Sequence, residues 1–229
     1  MMWIQGDWFD HYRTIGKAPL VIADPPYGGI VKEKWDRIDA AKLYRDFAKT
    51  LEVVLEDGGT AYVWGGIGTY RNRPWFEFLS SVEKDTNLQI WDVITWAKKR
   101  AYGTKNRMLF VREELAMLTL GKPKTFNIPL LEEKRGYAGY NAKYPAKSEF
   151  KRRTNVWSDV TEIFKGKVHP TEKPKRLAEI MISVSSKPGD RVIDAFAGSG
   201  NVSTVAIGMG REPIAVEIDP KWGGRMFGI

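Results

Sequence analysis

The order of apolar runs and turn signals predicts an α/β protein with a doubly wound, mainly parallel sheet covered by helices on both faces. Three observations carry this reading. Short apolar runs at 19–24, 60–66, 191–196 and 213–219 have the length and composition of strands buried on both sides. Helical spacing of apolar residues fills intervals between them, and strands alternating with helices favour a parallel sheet. A tight glycine turn, "AGSGN" (197–201), stands between a strand and a helix.

Along the chain, "MWIQG" (2–6) is a short strand ending in Gly6-Asp7, and "PLVIAD" (19–24) is a buried one. Residues 39–56 place Leu43, Phe47, Leu51 and Val54 on one helical face, with Asp57-Gly58-Gly59 as the expected stop. "TAYVWGG" (60–66) is the next strand and 75–82 a helix, followed by strands at "IWDVITWAK" (90–98) and "ELAMLTL" (114–120). Further on, Thr171 is the expected N-cap of a helix carrying Leu177, Ile180, Met181 and Val184, closed by Pro188-Gly189. "RVIDAF" (191–196), the glycine turn, the helix "VSTVAIGMG" and the strand "PIAVEID" (213–219) complete the pattern.

The chain has 229 residues, 43% hydrophobic and 12% aromatic, which suits one domain or one domain with an insertion. Lys and Arg number 36 against 28 acids, a net charge of +8 that favours a polyanionic partner, most simply nucleic acid. The absence of cysteine excludes disulfides, thiolate metal sites and thiol nucleophiles, and with only His11 and His169 no metal centre is expected. The N-terminal stretch lacks the pattern of a signal peptide, and no apolar run is long enough to span a membrane, so a soluble cytoplasmic protein is expected.

Between 121 and 160 the periodicity weakens. This stretch carries Lys122, Lys124, Lys134, Arg135, Lys143, Lys147, Lys151, Arg152 and Arg153, interleaved with Phe126, Tyr137, Tyr140 and Tyr144. It reads either as a solvated surface excursion or as a region that contacts phosphates and stacks on bases.

Two clusters point to chemistry. "DPPYGG" (24–29) follows a buried strand directly; consecutive prolines stop the strand and fix where the backbone points. Asp24 and Tyr27 on so stiff a turn are aimed at a ligand, or else form a plain strand exit. The second cluster is Gly198-Ser199-Gly200, where glycine permits close backbone approach to a ligand at a helix N-terminus. Ser203 replaces the third glycine of the dinucleotide fingerprint, which disfavours a nicotinamide site. Glu217, ending the next strand, can accept hydrogen bonds from both ribose hydroxyls, so the nucleoside half of a cofactor is expected; a glycine turn without ligand is the alternative.

With both clusters in view, the chain resembles the S-adenosylmethionine-dependent DNA amino-methyltransferases almost end to end. "DAFAGSG" (194–200) is similar to their cofactor loop, "VEID" (216–219) to their ribose-binding acid and "ADPPYG" (23–28) to their catalytic motif. "HPTEKP" (169–174), "NVWSDV" (155–160) and "IQGD" (4–7) also resemble family patterns. The catalytic motif precedes the cofactor loop, which resembles the circularly permuted "beta" arrangement. The resemblance therefore implies a Rossmann-like sheet in which "MWIQG" lies beside "PIAVE". Residues 1–120 would form the catalytic half, 121–160 a short inserted target-recognition region and 161–229 the cofactor-binding half.

The resemblance further implies methyl transfer to the exocyclic amine of a base flipped out of double-stranded DNA. Asp24 and the Pro25 carbonyl would accept the amine hydrogens, Pro26 would stiffen the turn and Tyr27 would stack on the base. S-adenosylmethionine would meet Asp7, Asp24, Thr171, Lys173, Asp194, Phe196, Gly198, Ser199, Gly200 and Glu217, with Lys173 on its carboxylate or, alternatively, a plain surface lysine. Lys143, Lys147, Lys151, Arg152 and Arg153 would bind DNA. His169 reads as structural rather than catalytic, and Trp35 and Trp64 as candidate pocket walls.

"DPPY" in this family accompanies adenine more often than cytosine, so adenine is the expected target and cytosine amine the alternative. RNA or protein amide nitrogen, a nicotinamide-dependent oxidoreductase and a non-catalytic DNA-binding protein are remoter readings. The setting implied is bacterial or phage-encoded and nucleoid-associated, within restriction–modification. After Asp219 the segment "PKWGGRMFGI" is short for this family, which implies a thinly covered sheet face or one covered in a homodimer.

Overall fold

The structure is a computed structural model and describes residues 1–28, 38–66, 74–103, 105–106, 108–134, 148–163, 166 and 171–223. Met2–Gln5 (β1) leads into a one-turn helix, Trp8–His11 (α1), and then the strand Ala18–Ala23 (β2). The helix Ala40–Val54 (α2) is followed at once by Leu55–Gly65 (β3), then Pro74–Asp85 (α3). Two long strands come next, Gln89–Tyr102 (β4) and Phe110–Thr119 (β5), then three short ones, Leu130–Lys134 (β6), Phe150–Arg152 (β7) and Val156–Trp157 (β8). Lys175–Ser185 (α4), Arg191–Ala195 (β9), Asn201–Gly208 (α5) and Glu212–Glu217 (β10) complete the order, with a 3-10 turn at Pro220–Trp222.

Eight strands form one sheet in the order β1-β10-β9-β2-β3-β5-β4-β8, while β6 and β7 pair separately. The first five are parallel and β5 is antiparallel to both its neighbours. The unbroken apolar run of β2 is explained by its central place. Val21 and Ala23 face a core shared with α2 and α3, whereas Leu20 and Ile22 face one shared with α4 and α5. On the first side α2 buries Tyr44, Phe47, Leu51 and Val54 at helical spacing, and α3 adds Trp75, Phe78 and Val82. On the second, Leu177, Met181 and Val184 of α4 join Val205 and Ala206 of α5.

The permuted arrangement expected from motif order is present. β1 pairs in parallel with β10, with Gln5 opposite Glu217, although the two lie at opposite ends of the sequence. Ala195 is opposite Val216 on one side and Ala23 on the other, so the exits of β10, β9 and β2 lie side by side. From β2 the chain continues to β3 and from β9 to β10, in opposite directions across the sheet. That reversal opens a crevice at the carboxyl ends of the strands, the usual ligand position in such sheets.

Several local expectations change. α2 ends at Leu55 and β3 begins there, so Asp57-Gly58-Gly59 lies within an irregular start of β3 instead of stopping the helix. The N-cap of α4 is Pro174, which makes no side-chain cap bond, and not Thr171. β4 and β5 both extend toward each other beyond their expected limits. The 121–160 stretch is anchored to the body: Asn127 donates its backbone N–H to Val184 (2.8 Å) and its amide to the Ser183 carbonyl (2.7 Å), and β8 pairs with β4. Trp222 is buried at the end of the 3-10 turn. No helix among the described residues is long and apolar enough to cross a membrane.

Candidate active site

Two groups of side chains meet at the crevice. The first forms where β2 ends. Asp24 leaves the strand with its carboxylate half-buried, and its Oδ2 is ion-paired with the Lys173 ammonium, which arrives from the segment before α4. Tyr27 returns over the same spot: its hydroxyl lies 3.1 Å from Asp24 Oδ1 and 3.2 Å from Glu113 Oε2, and it accepts from Lys173 Nζ at 3.2 Å. Lys173 Nζ also lies 3.3 Å from Glu113 Oε2, 5.4 Å from the Tyr27 ring centroid and 5.0 Å from that of Trp64. The Tyr27 ring approaches the backbone of Gly66 so closely that a Cβ there would sit 3.0 Å from Cδ2. Any larger residue there would press on the ring.

Glu113 was not singled out by the sequence. It sits on β5 and takes a further ion pair from Lys98 on β4. Burial would raise its carboxyl, but Lys173 and Lys98 outweigh burial and bring it down to about 2. Lys173 shows the converse balance: burial would lower it, while Asp24 and Glu113 hold it above its ordinary value. Burial pushes the Tyr27 phenol well up, with Asp24 and Glu113 adding to it, so the hydroxyl keeps its proton. Beneath the turn, Tyr44 donates to the Trp64 carbonyl (2.8 Å) and lies 3.4 Å from the Pro25 carbonyl, which buttresses the two prolines from α2.

The second group lines the neighbouring exits of β9, β10 and β1. Glu217 Oε2 accepts the Gly198 N–H at 2.6 Å and Oε1 accepts the Asp219 N–H at 2.7 Å, and burial raises its carboxyl above the usual range. These bonds fix the acid against the glycine turn. Gly200, the N-cap of α5, has φ 73°, a left-handed conformation that favours glycine. Phe196 adopts φ 62° without being glycine, a strained state held by packing against Phe47 (5.1 Å between centroids) and Trp8 (6.4 Å). Asp7 caps α1 through the Phe9 N–H (3.0 Å). Asn201 donates to the Lys173 carbonyl (2.7 Å), whereas its buried Oδ1 finds no partner among the described residues. A fixed acid at a strand tip, a left-handed glycine turn and an unanswered buried acceptor suit a nucleoside bearing a charged tail.

The remaining expected residues are placed as follows. Lys173 lies in the first group, engaged with two carboxylates, with Thr171 in the same segment. Ser199 lies in the glycine turn. Asp194 is turned inward: its Oδ2 accepts both the N–H (3.0 Å) and the hydroxyl (2.7 Å) of Ser203, so it secures the start of α5. Burial pushes this carboxyl up to about 7. Trp64 is buried and meets Trp96 edge-on at 6.1 Å. Of the expected DNA contacts, Arg152 is exposed and Lys151 is ion-paired with Glu133. Arg153 corrects its expected role, because it is buried and gives a two-pronged ion pair to Asp159 (2.5 and 2.8 Å). Such a guanidinium is not on offer to a phosphate. Lys143, Lys147, His169 and Trp35 lie outside the described residues.

Residues 18–222 match the DNA methylase family of N6/N4 methyltransferases. The chain belongs to the DNA methylase family. Among curated relatives it is similar to the Type II methyltransferase M2.LlaDCHI of Lactococcus lactis subsp. cremoris, at 27% identity over 228 residues, which is 89% of this chain and 78% of that protein. Among solved structures, the PvuII DNA methyltransferase (cytosine-N4-specific) superposes with a TM-score of 0.73 at 18% identity, covering 96% of this chain and 82% of that one. The M1.HpyAVI–SAM complex superposes with a TM-score of 0.65 at 20% identity, covering 100% of this chain and 99% of that one. The permuted sheet of this DNA methylase is thus a shared architecture.

Two measurements follow from the charges. Glu113→Gln leaves two ammonium groups in a half-buried pocket with one carboxylate fewer, and is expected to lower unfolding free energy by about 3 kcal/mol; urea denaturation reads this. Asp194 keeps its proton to about pH 7 when folded, but ionises at about pH 4 when unfolded. The folded state therefore binds more protons between these values, and stability falls as pH rises through them. In Asp194→Asn, the drop in urea midpoint from about pH 5 to about pH 8 should shrink.

Proposed function

We propose that this DNA methylase transfers a methyl group to the N6 amine of an adenine drawn out of duplex DNA, with Asp24 as the group that engages the amine. The observation that carries the assignment of Asp24 is its carboxylate at the sheet crevice, beside the glycine turn and Glu217, on a turn held rigid by Pro25 and Pro26. S-adenosylmethionine is the methyl donor and supplies an electrophilic methyl on a sulfonium centre.

An exocyclic amine is a poor nucleophile because its lone pair is delocalised into the ring. Asp24 accepts one amine hydrogen and the Pro25 carbonyl the other, which turns the lone pair out of the ring plane and stabilises the positive charge developing on nitrogen. The nitrogen–methyl bond would form as the methyl–sulfur bond breaks to leave a neutral thioether, and the surplus amine proton would pass to Asp24 and on to water. Tyr27 holds the base by its ring. Its hydroxyl, set between Asp24 and Glu113 with one proton to donate, keeps the ring at a fixed angle to the acid. Lys173 is paired with Asp24 Oδ2, and the carboxylate keeps further lone pairs for the incoming amine; the donor's carboxylate is a second partner for the ammonium. Glu217 takes the ribose hydroxyls, Asp7 the adenine edge and the 196–200 turn the methionine portion. Arg152 and Lys151, with the basic stretch around them, supply phosphate contacts. The Type II name of the relative supports a place in restriction–modification.

Cytosine N4 is the second reading, favoured by the likeness to the cytosine-N4-specific PvuII enzyme. Incubation with labelled S-adenosylmethionine and duplex DNA, followed by digestion to nucleosides, separates the two: label on adenosine supports the proposal and label on cytidine overturns it. Asp24→Ala is expected to abolish transfer, a loss of roughly a thousandfold or more, with donor affinity by calorimetry largely kept. Tyr27→Phe keeps the ring but removes a hydroxyl with three polar partners, and should lower kcat by about tenfold while leaving KM for DNA little changed.

A further inference from the structure

Beyond Lys98 and Glu113, whose side chains close the catalytic pocket, β4 and β5 continue as a hairpin clear of the body. From Lys99 to Arg112 every side chain that the structure describes is exposed. At its tip Met108 is 92% exposed and Leu109 61%, with Phe110 and Val111 at 40% each. Consecutive apolar side chains held in water at one projecting point mark a surface that something covers. Lys99, Arg100 and Lys105 flank the tip, Arg112 is ion-paired with Glu114 (3.1 Å) at the base, and the stretch 99–112 contains no Asp or Glu.

The hairpin is shaped. Its base is stapled by Glu162, which accepts the backbone N–H groups of Lys99 (3.0 Å) and Arg100 (2.9 Å). Its register shifts between Ala97 and Tyr102, an irregularity of the kind that bends a ribbon and re-aims it. Near the tip Leu109 lies over Gly103, where a Cβ would sit 2.8 Å from Leu109 Cδ2. Its direction is set by the sheet. β5 enters beside the carboxyl end of β3, with Glu114 opposite Gly65, so the hairpin projects past the edge that carries Asp24. Phe110 is three residues from Glu113, a reach of roughly 10 Å in an extended strand.

We propose that the 99–112 hairpin is a DNA-docking element: its apolar tip wedges into the base stack beside the target base, and its basic flanks straddle the phosphates. The proposal rests on the reading that duplex DNA is the substrate. Extruding a base costs a few kcal/mol of stacking and pairing, and apolar side chains inserted at the step offset that cost while leaving water. A second copy of this chain is the poorer occupant, since two such hairpins would bring like charges together without an acid between them.

The test uses the whole protein and a duplex whose methylated base has been mapped. Met108→Ser with Leu109→Ser alters exposed side chains only, and an unchanged urea midpoint and donor affinity would verify the fold. On intact duplex this double variant is expected to lose about tenfold in kcat/KM. On the same duplex with an abasic site opposite the target, where extrusion is cheaper, it should recover to within about twofold of wild type. Lys99→Ala with Lys105→Ala should flatten the slope of log affinity against log salt by about two. Equal activity of the double variant and wild type on intact duplex, a loss that the abasic duplex does not restore, or a change in sedimenting mass caused by the tip substitutions would each overturn the hairpin proposal alone. A wild-type protein that methylates no DNA at all would overturn the substrate reading, and this proposal with it.

Discussion

Four charges in one half-buried pocket set the conditions for the rest of the molecule. Asp24 and Glu113 face Lys173 and Lys98, and the pairs interlock because Lys173 touches both carboxylates. Removing charges from water is costly, and removing one member of such a group leaves an uncompensated neighbour. The group is therefore satisfied only when β2, β4, β5 and the segment before α4 are all in place. Tyr27 is held by the same atoms, so the angle of its ring depends on the charges beneath it.

The neighbouring crevice is organised differently, by apolar packing and backbone bonds. Phe196 can hold a left-handed backbone because Phe47 and Trp8 grip its ring from α2 and α1. Glu217 is fixed by two N–H groups instead of by a cation. An acid so held keeps acceptor capacity and lacks a strong partner to displace, which suits the reversible binding of hydroxyls. Asn201 links the two halves, since its amide reaches the Lys173 carbonyl from the first turn of α5.

Much of this was legible from residues alone. The strands β2, β9 and β10 announced themselves as apolar runs with no polar face, which is what a position between two helical layers requires. The departure from the glycine fingerprint was visible at Ser203 but its reason was not: the hydroxyl answers Asp194 nine residues earlier, a pairing that exists only once strand and helix are packed. Glu113 escaped notice because "VREEL" reads as a solvated strand end, and its partner Lys173 lies far away in sequence. A charge cluster does not say which member turns inward, so the burial of Arg153 is not visible among its basic neighbours, although Asp159 stands close by to receive it. The full length of the β4–β5 ribbon is not legible in the sequence because its alternation fades where it leaves the core.

The pairing of β1 with β10 bears on how the molecule is made. Gly6 donates its N–H to the Glu217 carbonyl at 2.9 Å, and Gln5 reaches both that carbonyl and the next at 2.8 Å. During synthesis, β2, β3, β4 and β5 can assemble with α2 and α3 while the ribosome is still working. The free edge of β2 then waits for β9, and β1 waits for the strand that contains Glu217. Open strand edges are the sites at which chains join the wrong partner. The permuted order thus gives the growing chain its Asp24–Tyr27 turn early, and completes the pairing of its first strand only after β10 has been made.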